Sequence, residues 1–518
     1  MIAQSVLQAC VNLGVREFVV CAGSRNSDLV HGLLQHRDQV ELYSFFEERS
    51  AAFFALGRTL AQPYPVAIIT TSGTAAAELL PAVIEAYYQE RPLVMITADR
   101  PIRYRGSGAP QAIEQSELFS VYAETYDLES DDDVRSFGAA TDEVRSPLHL
   151  NVCLEEPGKE IPEIHLKWTD RHRPAPNHQQ ASDFLALERF LEKPTPLLVI
   201  AGCLTPDPKL VATLASLNAP ILADATSGLH AEPSLAHLIL RGGDRTAQQL
   251  ELGKVLRLGG VPSFRFWRDL ETQANIDVLS LSNRPFSGLA CHSMLFEYAP
   301  GCFEASSQNT LTDWKEIEAA QAAHLERLLS QYPHSEPAQL RALLTYIPID
   351  AQLFVGNSLP IRELSLVAAR KLPWPVYANR GANGIDGNLA TSFGLAAGQE
   401  QGETWGLFGD LTTLYDLAAP GLLSELPHTQ TRTVVINNGG GKIFRRLPNF
   451  QGIAPNDTAI IENHHQFDFQ SWAQAWGIDY HLIQANGLAE SLSCQHAILE
   501  IRPDENQTEA FWADYLQN

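Results

Sequence analysis

The chain has 518 residues, of which 45% are hydrophobic, and its formal net charge is −24. This length predicts several domains with substantial hydrophobic cores. The negative charge, without any basic run, argues against nucleic acid as a partner, because phosphate contacts need clustered Lys and Arg. Seven scattered cysteines favour reduced thiols. The sequence shows no signal-peptide pattern, and its apolar runs are shorter than the ~18 residues of a membrane span. We therefore expect a cytoplasmic protein without a membrane partner.

Residues 1–165 alternate between short apolar strands and segments with helical spacing. This alternation indicates a doubly wound parallel sheet, and in such a sheet ligands bind beyond the carboxyl ends of the strands. The predicted strands are 17–21, 40–46, 66–70, 93–97 and 146–152, and the predicted helices are 6–13, 51–60 and 76–88.

Polar or charged loops follow the strands of this first domain. The loop 22–27 contains Ser24 and Arg25, and it could be either a helix cap or an anion-binding turn. Glu48 stands at the start of a helix, where an acidic residue would ordinarily stabilise the helix dipole. Arg100 ends the strand 93–97 in an Ala-Asp-Arg-Pro turn.

A segment rich in Pro, His and charge, residues 155–180, is predicted to be a linker. A second α/β domain over residues 183–335 follows, with strands at 196–201, 221–224 and 255–258 and a helix at 311–332. No dinucleotide-binding GxGxxG pattern follows these strands. The loop 259–265 of this domain ends at Arg265.

The third predicted domain, residues 340–518, opens with a strand at 352–355 that is followed by Ser358 and Arg362. If the helix begins there, these two side chains share one face, because they are four residues apart. A further strand leads to Arg380 and Ile385.

Two apolar strands later in this domain end in small and oxygen-bearing residues. One ends at Asp410 and the other at Asn437, with apolar residues at helical spacing between 415 and 426. Since the carboxyl ends of parallel strands meet at one edge of a sheet, both side chains should lie near each other. A carboxylate and an amide oxygen suit Mg²⁺, which rarely fills its octahedron with protein ligands alone. A phosphate-bearing ligand is therefore implied.

The run Gly-Asp-Leu at 409–411, followed by Asn-Asn-Gly-Gly-Gly-Lys-Ile-Phe at 437–444, resembles the fingerprint of thiamine diphosphate enzymes, usually Gly-Asp-Gly and then Asn-Asn. The Leu variant resembles the MenD family, the 2-succinyl-5-enolpyruvyl-6-hydroxy-3-cyclohexene-1-carboxylate synthases of menaquinone biosynthesis. Thr-Ser-Gly-Thr-Ala at 71–75 and Asn-Arg-Gly-Ala-Asn at 379–383 also match this family. The resemblance spans nearly the whole chain, with at least six motifs in the family's order.

The resemblance implies three doubly wound α/β parallel-sheet domains, of which the first binds the pyrimidine and the third the diphosphate of thiamine diphosphate. It implies Mg²⁺ or Mn²⁺, and a homodimer or dimer of dimers with sites at the interface. The implied substrates are small anions: 2-oxoglutarate is decarboxylated and its succinyl unit is added to isochorismate. The cofactor supplies the electron sink. In the family a buried glutamate, here Glu48, hydrogen-bonds the cofactor's pyrimidine ring, and burial would raise its pKa.

The resemblance also assigns roles to individual residues. The implied catalytic and substrate-binding residues are Glu48, Arg25, Arg100, Gln111, Ser358, Arg362 and Arg380. The implied cofactor-binding residues are Glu48, Ser24, Ile385, Gly409, Asp410, Leu411, Asn437, Gly439, Gly440, Gly441, Ile443 and Phe444. The implied metal ligands are Asp410, Asn437 and Gly439.

Two alternative functions remain at this point. One is another thiamine diphosphate carboligase or 2-oxoacid decarboxylase, although the set of arginines and the Leu411 variant favour the MenD family. The other is a catalytically silent binding or scaffold relative. Pro110 stands where the family usually has Asn, which removes one hydrogen-bonding side chain, whereas the neighbouring Gln111 matches.

Overall fold

The computed structural model describes residues 2–141, 143–168, 181–297, 309–367, 372–399, 401–447, 450, 452–483 and 494–517. The chain forms two compact units. The first comprises Met1–Pro176, Gly381–Thr404 and Thr412–Thr431, and the second comprises Asn177–Arg380, Trp405–Leu411 and Arg432–Asn518.

The first sheet has six strands in the order β2-β1-β3-β4-β6-β5, and every neighbouring pair is parallel. Its strands are β1 (Glu17–Val20), β2 (Glu41–Ser44), β3 (Val66–Thr70), β4 (Leu93–Asp99), β5 (Glu124–Leu128) and β6 (Leu148–Cys153). Its helices are α1 (Ile2–Asn12), α2 (Ser27–Leu34), α3 (Glu48–Ala61), α4 (Thr74–Ala77), α5 (Leu80–Gln89) and α6 (Asp131–Ala140). Strands β1, β3, β4 and β6 are buried throughout, as parallel strands covered on both faces must be.

The second sheet has five parallel strands in the order β11-β10-β9-β7-β8. Its strands are β7 (Leu197–Ala201), β8 (Ile221–Ala223), β9 (Lys254–Leu258), β10 (Asp277–Leu281) and β11 (Met294–Phe296). Its helices are α7 (Ala181–Glu192), α8 (Pro208–Leu217), α9 (Asp244–Gln249) and α10 (Arg265–Asp269). A hydrophobic core lies around these strands.

The third sheet has six strands in the order β13-β12-β14-β15-β17-β16. Its strands are β12 (Gln352–Val355), β13 (Val376–Tyr377), β14 (Glu403–Gly409), β15 (Gln430–Ile436), β16 (Asp479–Ile483) and β17 (His496–Ile501). The helices of this region are α11 (Trp314–Gln331), α12 (Glu336–Leu343), α13 (Leu359–Val367), α14 (Asn388–Ala396), α15 (Asp410–Tyr415), α16 (Pro455–Glu462), α17 (Phe469–Ala475) and α18 (Glu505–Gln517). Counted from its own first strand, this sheet has the same strand order as the first sheet. The predicted fold class, with three parallel-sheet α/β domains, is confirmed.

The connection between β14 and β15 differs from the prediction of a helix over residues 415–426. Helix α15 ends at Tyr415, and a 3₁₀ segment follows at Ala419–Glu425. Pro420 and Gly421 stand near the start of that segment, and both disfavour a continuous α-helix. The apolar spacing was correct, but the chain covers the distance in two short pieces.

Helix α3 packs closely against α14 within the first unit. A Cβ atom added to Gly57 would lie 2.1 Å from the carbonyl oxygen of Thr391, and one added to Gly394 would lie 2.0 Å from that of Phe54. Only glycine allows such an approach of two helix backbones. This contact fixes α3, whose first residue is Glu48.

The segment predicted to be a linker, residues 155–180, is mostly exposed over residues 155–163, but it is anchored to the first sheet at residues 164–168. Ile164 and Leu166 are buried in the hydrophobic core of the first sheet, and the ring of Trp168 lies against His36. Residues 169–180 lie outside the described residues. The six cysteines in the described part of the chain are free thiols, as expected. Among the described helices, none has the length and apolar character to cross a membrane.

Candidate active site

Asp410 and Asn437 come together at the carboxyl ends of the adjacent strands β14 and β15, as the sequence predicts. Asp410 is buried, and its Oδ2 accepts hydrogen bonds from the amides of Gly439 (2.8 Å) and Gly440 (2.9 Å). The amide of Gly439 also lies 3.3 Å from Oδ1 of Asn437. A carboxylate oxygen and an amide oxygen therefore converge on one point of the loop.

The orientation of the Asn437 side chain is fixed by a residue that the sequence did not single out. Nδ2 of Asn437 donates to Oε1 of Glu500 at 2.7 Å, which leaves Oδ1 on the side of Asp410. Glu500 is fully buried and also accepts from Tyr480 and Arg502. Burial raises the pKa of Glu500, but these hydrogen bonds lower it further, so the pKa lies below its ordinary value.

The glycines of this loop leave room for a ligand. Gly439 has φ +81°, and a Cβ atom there would meet nothing within 4 Å, so the loop faces open space. At Gly440 a Cβ would lie 2.4 Å from the carbonyl oxygen of Glu462, so that position requires glycine. Hard oxygen donors beside exposed backbone fit Mg²⁺ completed by a diphosphate. The amide of Leu411 donates to Oδ1 of Asp410, and the amide of Gly441 donates to the carbonyl oxygen of Glu462. These two hydrogen bonds fix the ends of the site.

His465 is a further neighbour of the predicted metal site. Its Nε2 lies 3.1 Å from Oδ2 of Asp410, and its Nδ1 accepts from the amide of Phe467 at 3.2 Å. Nothing in the local sequence pattern indicated this histidine, because it follows α16 in a stretch without a recognised motif.

Arg380 is held by the buried side chain of Asn357, the residue that precedes Ser358. Ser358 has a φ of +72°, a sparsely populated conformation for a residue other than glycine, and such strain is concentrated at functional sites. Because α13 begins only at Leu359, Ser358 precedes the helix and the predicted helical face shared with Arg362 is wrong. Arg380 donates from Nη1 to Oδ1 of Asn357 at 3.0 Å.

Arg362 lines a cavity of about 230 Å³ in the second unit, together with Arg265, Ile443 and Leu447. Three of these residues come from the third predicted domain, and Arg265 is the first residue of helix α10 in the central domain, where the sequence had predicted a loop. Phe444 instead packs its ring against Phe450, with ring centroids 5.8 Å apart.

Glu48 and Glu47 have distinct environments at the start of α3. Glu47 is the N-cap, and its carboxylate accepts from the amides of Arg49 and Ser50, each at 3.1 Å. The carboxyl group of Glu48 is half-buried and free of this capping role. Burial raises its pKa, with smaller contributions from the nearby charges of Glu47 and Glu78. The helix starts three residues earlier than predicted, so Glu48 lies in its first turn.

Arg25 and Arg100 are brought together by Glu156. The guanidinium of Arg25 is buried, donates to the carbonyl oxygen of Leu154 and forms a short ion pair with Glu156. Arg100 approaches the same carboxylate at 3.4 Å and donates from Nε to the carbonyl oxygen of Pro110 at 2.8 Å. The backbone of Pro110 thus positions Arg100. The Glu156 carboxylate, 71% exposed, lies where two arginines meet.

The loop with Ser24 is not a simple helix cap. Asn26 precedes α2, but its side chain makes no capping bond. Instead its Nδ2 donates to the carbonyl oxygen of Cys21, and its Oδ1 accepts from the amide of Gly23. Ser24 is exposed at the tip of this loop.

Gln111 is held in a left-handed conformation with φ +58°. Gly73 packs directly beneath it: a Cβ on Gly73, whose φ is +82°, would lie 3.1 Å from Cα of Gln111. The amide of Gly73 donates to Oε1 of the fully buried Gln115, which in turn donates to Asn151 at 3.0 Å. Gln115 and Asn151 were missed because their roles depend on contacts distant in sequence.

The loop that carries Ile385 is clamped by two buried carboxylates of the first unit. Glu85 accepts from the amides of Gly381 (2.6 Å), Ala382 (2.8 Å) and Asn383 (3.2 Å). Asp416 accepts from the amides of Gly387 (2.8 Å) and Leu389 (2.9 Å). Burial raises the pKa of Asp416 to about 7. The half-buried Ile385 therefore sits in a loop fixed at both ends.

Comparison with known proteins identifies the class of this fold and site. The family described as thiamine pyrophosphate enzyme, N-terminal TPP binding domain, matches residues 1–118. The solved structure of benzoylformate decarboxylase from Polynucleobacter necessarius aligns with a TM-score of 0.72 over 97% of this chain and 98% of that chain. Its sequence identity of 16% means that this likeness concerns the fold alone. The chain is a thiamine diphosphate enzyme.

Sequence relatives aligned over almost the whole chain narrow this class to one family. The 2-succinyl-5-enolpyruvyl-6-hydroxy-3-cyclohexene-1-carboxylate synthase of Bdellovibrio bacteriovorus is 39% identical, with 99% of this chain and 98% of the relative aligned. The synthase of the same name from Akkermansia muciniphila is 40% identical, with 98% and 96% aligned. The chain belongs to this family of synthases, the MenD family, and is a thiamine diphosphate-dependent transferase.

Proposed function

We propose that this enzyme decarboxylates 2-oxoglutarate and adds the remaining succinyl unit to isochorismate, which gives 2-succinyl-5-enolpyruvyl-6-hydroxy-3-cyclohexene-1-carboxylate and carbon dioxide. When bound, thiamine diphosphate supplies the electron sink for both steps. The product name is that of the relatives at 39% and 40% identity. The observation that carries the proposal in this chain is the convergence of the Asp410 and Asn437 oxygens on the Gly439 amide.

The diphosphate half of the site lies in the proposed third domain, residues 340–518. Asp410 and Asn437, with the carbonyl oxygen of Gly439, would hold Mg²⁺ or Mn²⁺ and through it the diphosphate. Asp410 contributes the anionic ligand. Glu500 supports the role of Asn437, because it binds the amide nitrogen and thereby presents the oxygen. Gly440 and Gly441 allow the loop to approach the phosphates closely.

The pyrimidine half lies in the proposed first domain, residues 1–165. Glu48 would share a proton with a ring nitrogen of the bound cofactor, and the raised pKa of its half-buried carboxyl group favours that exchange. Glu47 caps the helix and keeps Glu48 in the first turn. Ile385 and Ile443 are proposed to shape the cofactor, and Ser24 to contact it.

The arginines are proposed to bind the carboxylates of the two substrates. Arg25 and Arg100 already meet one carboxylate, that of Glu156, which supports their ability to bind another. Arg362 and Arg380 would serve the same purpose in the second unit, since the planar guanidinium binds carboxylates through two parallel hydrogen bonds. Gln111 and Ser358, both with strained backbones, would orient the substrates.

We further propose a homodimer or a dimer of dimers in the cytoplasm, with sites completed at the interface and residues 183–335 as the central domain. The free cysteines support a reducing compartment. The proposed activity is tested by incubating the purified protein with 2-oxoglutarate, isochorismate, thiamine diphosphate and Mg²⁺. Loss of isochorismate that requires all four components supports the proposal. Release of carbon dioxide from 2-oxoglutarate without consumption of isochorismate would instead favour a simple 2-oxoacid decarboxylase.

A further inference from the structure

A cavity of about 230 Å³ lies within the second unit, where the central domain contributes residues 243–248 and 263–265. Helix α13 contributes Leu359 to Leu366, the segment after the glycine loop contributes residues 443–447, and the C-terminal helix α18 contributes Trp512 to Leu516. The sequence had already singled out Arg265 and the α13 and 443–447 parts of this lining. The α9 and α18 parts have no assigned role.

The charge of this cavity is opposite to that of the chain. Four arginines line it, whereas its one carboxylate is Asp244. That carboxylate accepts from the amides of Arg265 (3.0 Å) and Phe266 (3.1 Å) at the start of α10, and its charge also raises the pKa of Arg362. Among the described residues, Arg265 pairs with Asp269 at 2.8 Å and Arg446 lies 3.5 Å from Glu363. In a protein of net charge −24, such a local excess of cations indicates an anionic ligand.

Three of the four guanidinium groups in the cavity, those of Arg362, Arg245 and Arg446, can still bind an anionic ligand. Arg362 lines the cavity and forms no hydrogen bond or ion pair with any residue that the structure describes. Burial and the nearby positive charge of Arg380 lower the pKa of Arg362. Within the same described residues, Arg245 also has no side-chain partner, and its Nε is buried. An uncompensated, partly desolvated guanidinium is costly unless a ligand pairs with it.

Arg446 is fixed in place without being neutralised. Its guanidinium lies 4.0 Å from the ring centroid of Trp512, and one nitrogen lies 3.5 Å from Glu363. Glu363 is fully buried beside Glu336, and burial raises its pKa well above the ordinary value, so burial disfavours the charged form that would neutralise Arg446. Stacking on Trp512 therefore orients Arg446 while its charge stays available.

We propose that this cavity binds a small organic dicarboxylate, and that Arg245 and Arg446 are the specificity-determining residues that bind it together with Arg362. The arginines come from three separate elements, which suits two separated carboxylates rather than one compact anion. The walls between them include Phe264, Leu359 and Leu366, which suit a carbon skeleton. The inference rests on the proposed function, since that reaction uses dicarboxylates.

The test uses succinate, a dicarboxylate that cannot be decarboxylated as a 2-oxoacid, with the full-length protein loaded with thiamine diphosphate and Mg²⁺. Arg446→Met keeps a long apolar side chain beside Trp512 but removes the charge, and Arg245→Gln removes the second charge. Each variant should weaken succinate binding in calorimetry about tenfold to a hundredfold, as loss of a charge-assisted hydrogen bond does. Arg241→Gln, an exposed arginine just before α9, is the matched control and should bind succinate like the parent.

The outcomes separate this inference from the proposed function. Succinate affinity unchanged in both Arg446→Met and Arg245→Gln overturns the inference, even if the parent consumes isochorismate. If Arg446→Met does not fold, Arg245→Gln alone decides the question. If the parent binds succinate in the predicted manner but does not consume isochorismate, the proposed function fails and the anion site stands. Competition between succinate and 2-oxoglutarate assigns the cavity to a substrate, whereas binding without competition assigns it to a dicarboxylate that is not a substrate.

Discussion

Glu48 offers the sharpest test of the proposed chemistry, because its neighbour Glu47 is a built-in control. Glu48→Gln keeps the size and a hydrogen-bonding end of the side chain but cannot exchange a proton. General acid–base catalysis of this kind contributes typically ~10²–10⁴-fold. The metal and diphosphate contacts that we propose lie on another part of the chain, so the variant should still bind thiamine diphosphate. Exchange of the cofactor's C2 proton for deuterium, followed by NMR, should be slower by that factor.

The expected effect of Glu47→Gln follows from the capping geometry. The Glu47 carboxylate accepts from the amides of Arg49 and Ser50, and a Gln side-chain oxygen can still accept one of them. The loss of negative charge at a helix N-terminus should lower the free energy of unfolding by about 0.3–1 kcal/mol. Proton exchange should keep the parent rate. Exchange at the parent rate in Glu48→Gln would refute the mechanism, and slow exchange in Glu47→Gln alone would show that the glutamate is misassigned.

The remaining predictions concern the metal site, one substrate arginine, a buried acid and a glycine. Asp410→Ala should abolish Mg²⁺-dependent binding of thiamine diphosphate in calorimetry, and parent-like binding would contradict the proposed site. Arg380→Ala should raise the KM of one dicarboxylate substrate about tenfold to a hundredfold without changing cofactor affinity; unchanged KM values for both substrates would contradict this. Because burial raises the folded-state pKa of Asp416 to about 7, its contribution to stability is fully present below the unfolded pKa of 3.8 and is lost as the pH rises through about 7. Asp416→Asn should therefore flatten the fall in thermal stability between about pH 4 and pH 7. Gly73→Ala should raise the KM of the substrate that Gln111 is proposed to contact. The control is Gly108→Ala, because Gly108 has φ +70° and a Cβ there would meet no atom within 4 Å, so the variant should cost only backbone strain of about 1–2 kcal/mol. Equal KM values in the two variants would count against the role of Gly73.

The buried strands were the most predictable part of the fold. Strands β3 and β12 were predicted to the residue, because each is a short apolar run that ends abruptly in polar residues. Strands β5 and β16 lie at the edges of their sheets, and most of their residues are exposed or half-exposed. They were missed because an edge strand does not need the continuous apolar run on which the prediction depended.

Whether a site residue could be predicted depended on whether its contacts are local. Asp410 and Asn437 were expected to be neighbours because strand ends in a parallel sheet share one edge. Glu85 holds three backbone amides of a loop almost 300 positions away, and Glu156 lies in a segment that resembled a linker. No local pattern distinguishes such carboxylates from ordinary charged residues, since their function is set only by the folded partners.

The acidic residues of the site explain how a protein of net charge −24 can favour anionic ligands. Glu85 accepts three backbone amides, Asp416 accepts two, and Asp244 accepts two. Each of these carboxylates is thereby used to fix a loop or helix end and not to pair closely with an arginine that faces a ligand. Arg362 consequently keeps its positive charge toward the cavity. Buried acids hold the backbone, and the arginines would remain available for the proposed substrate carboxylates, with a local positive charge opposite in sign to that of the whole chain.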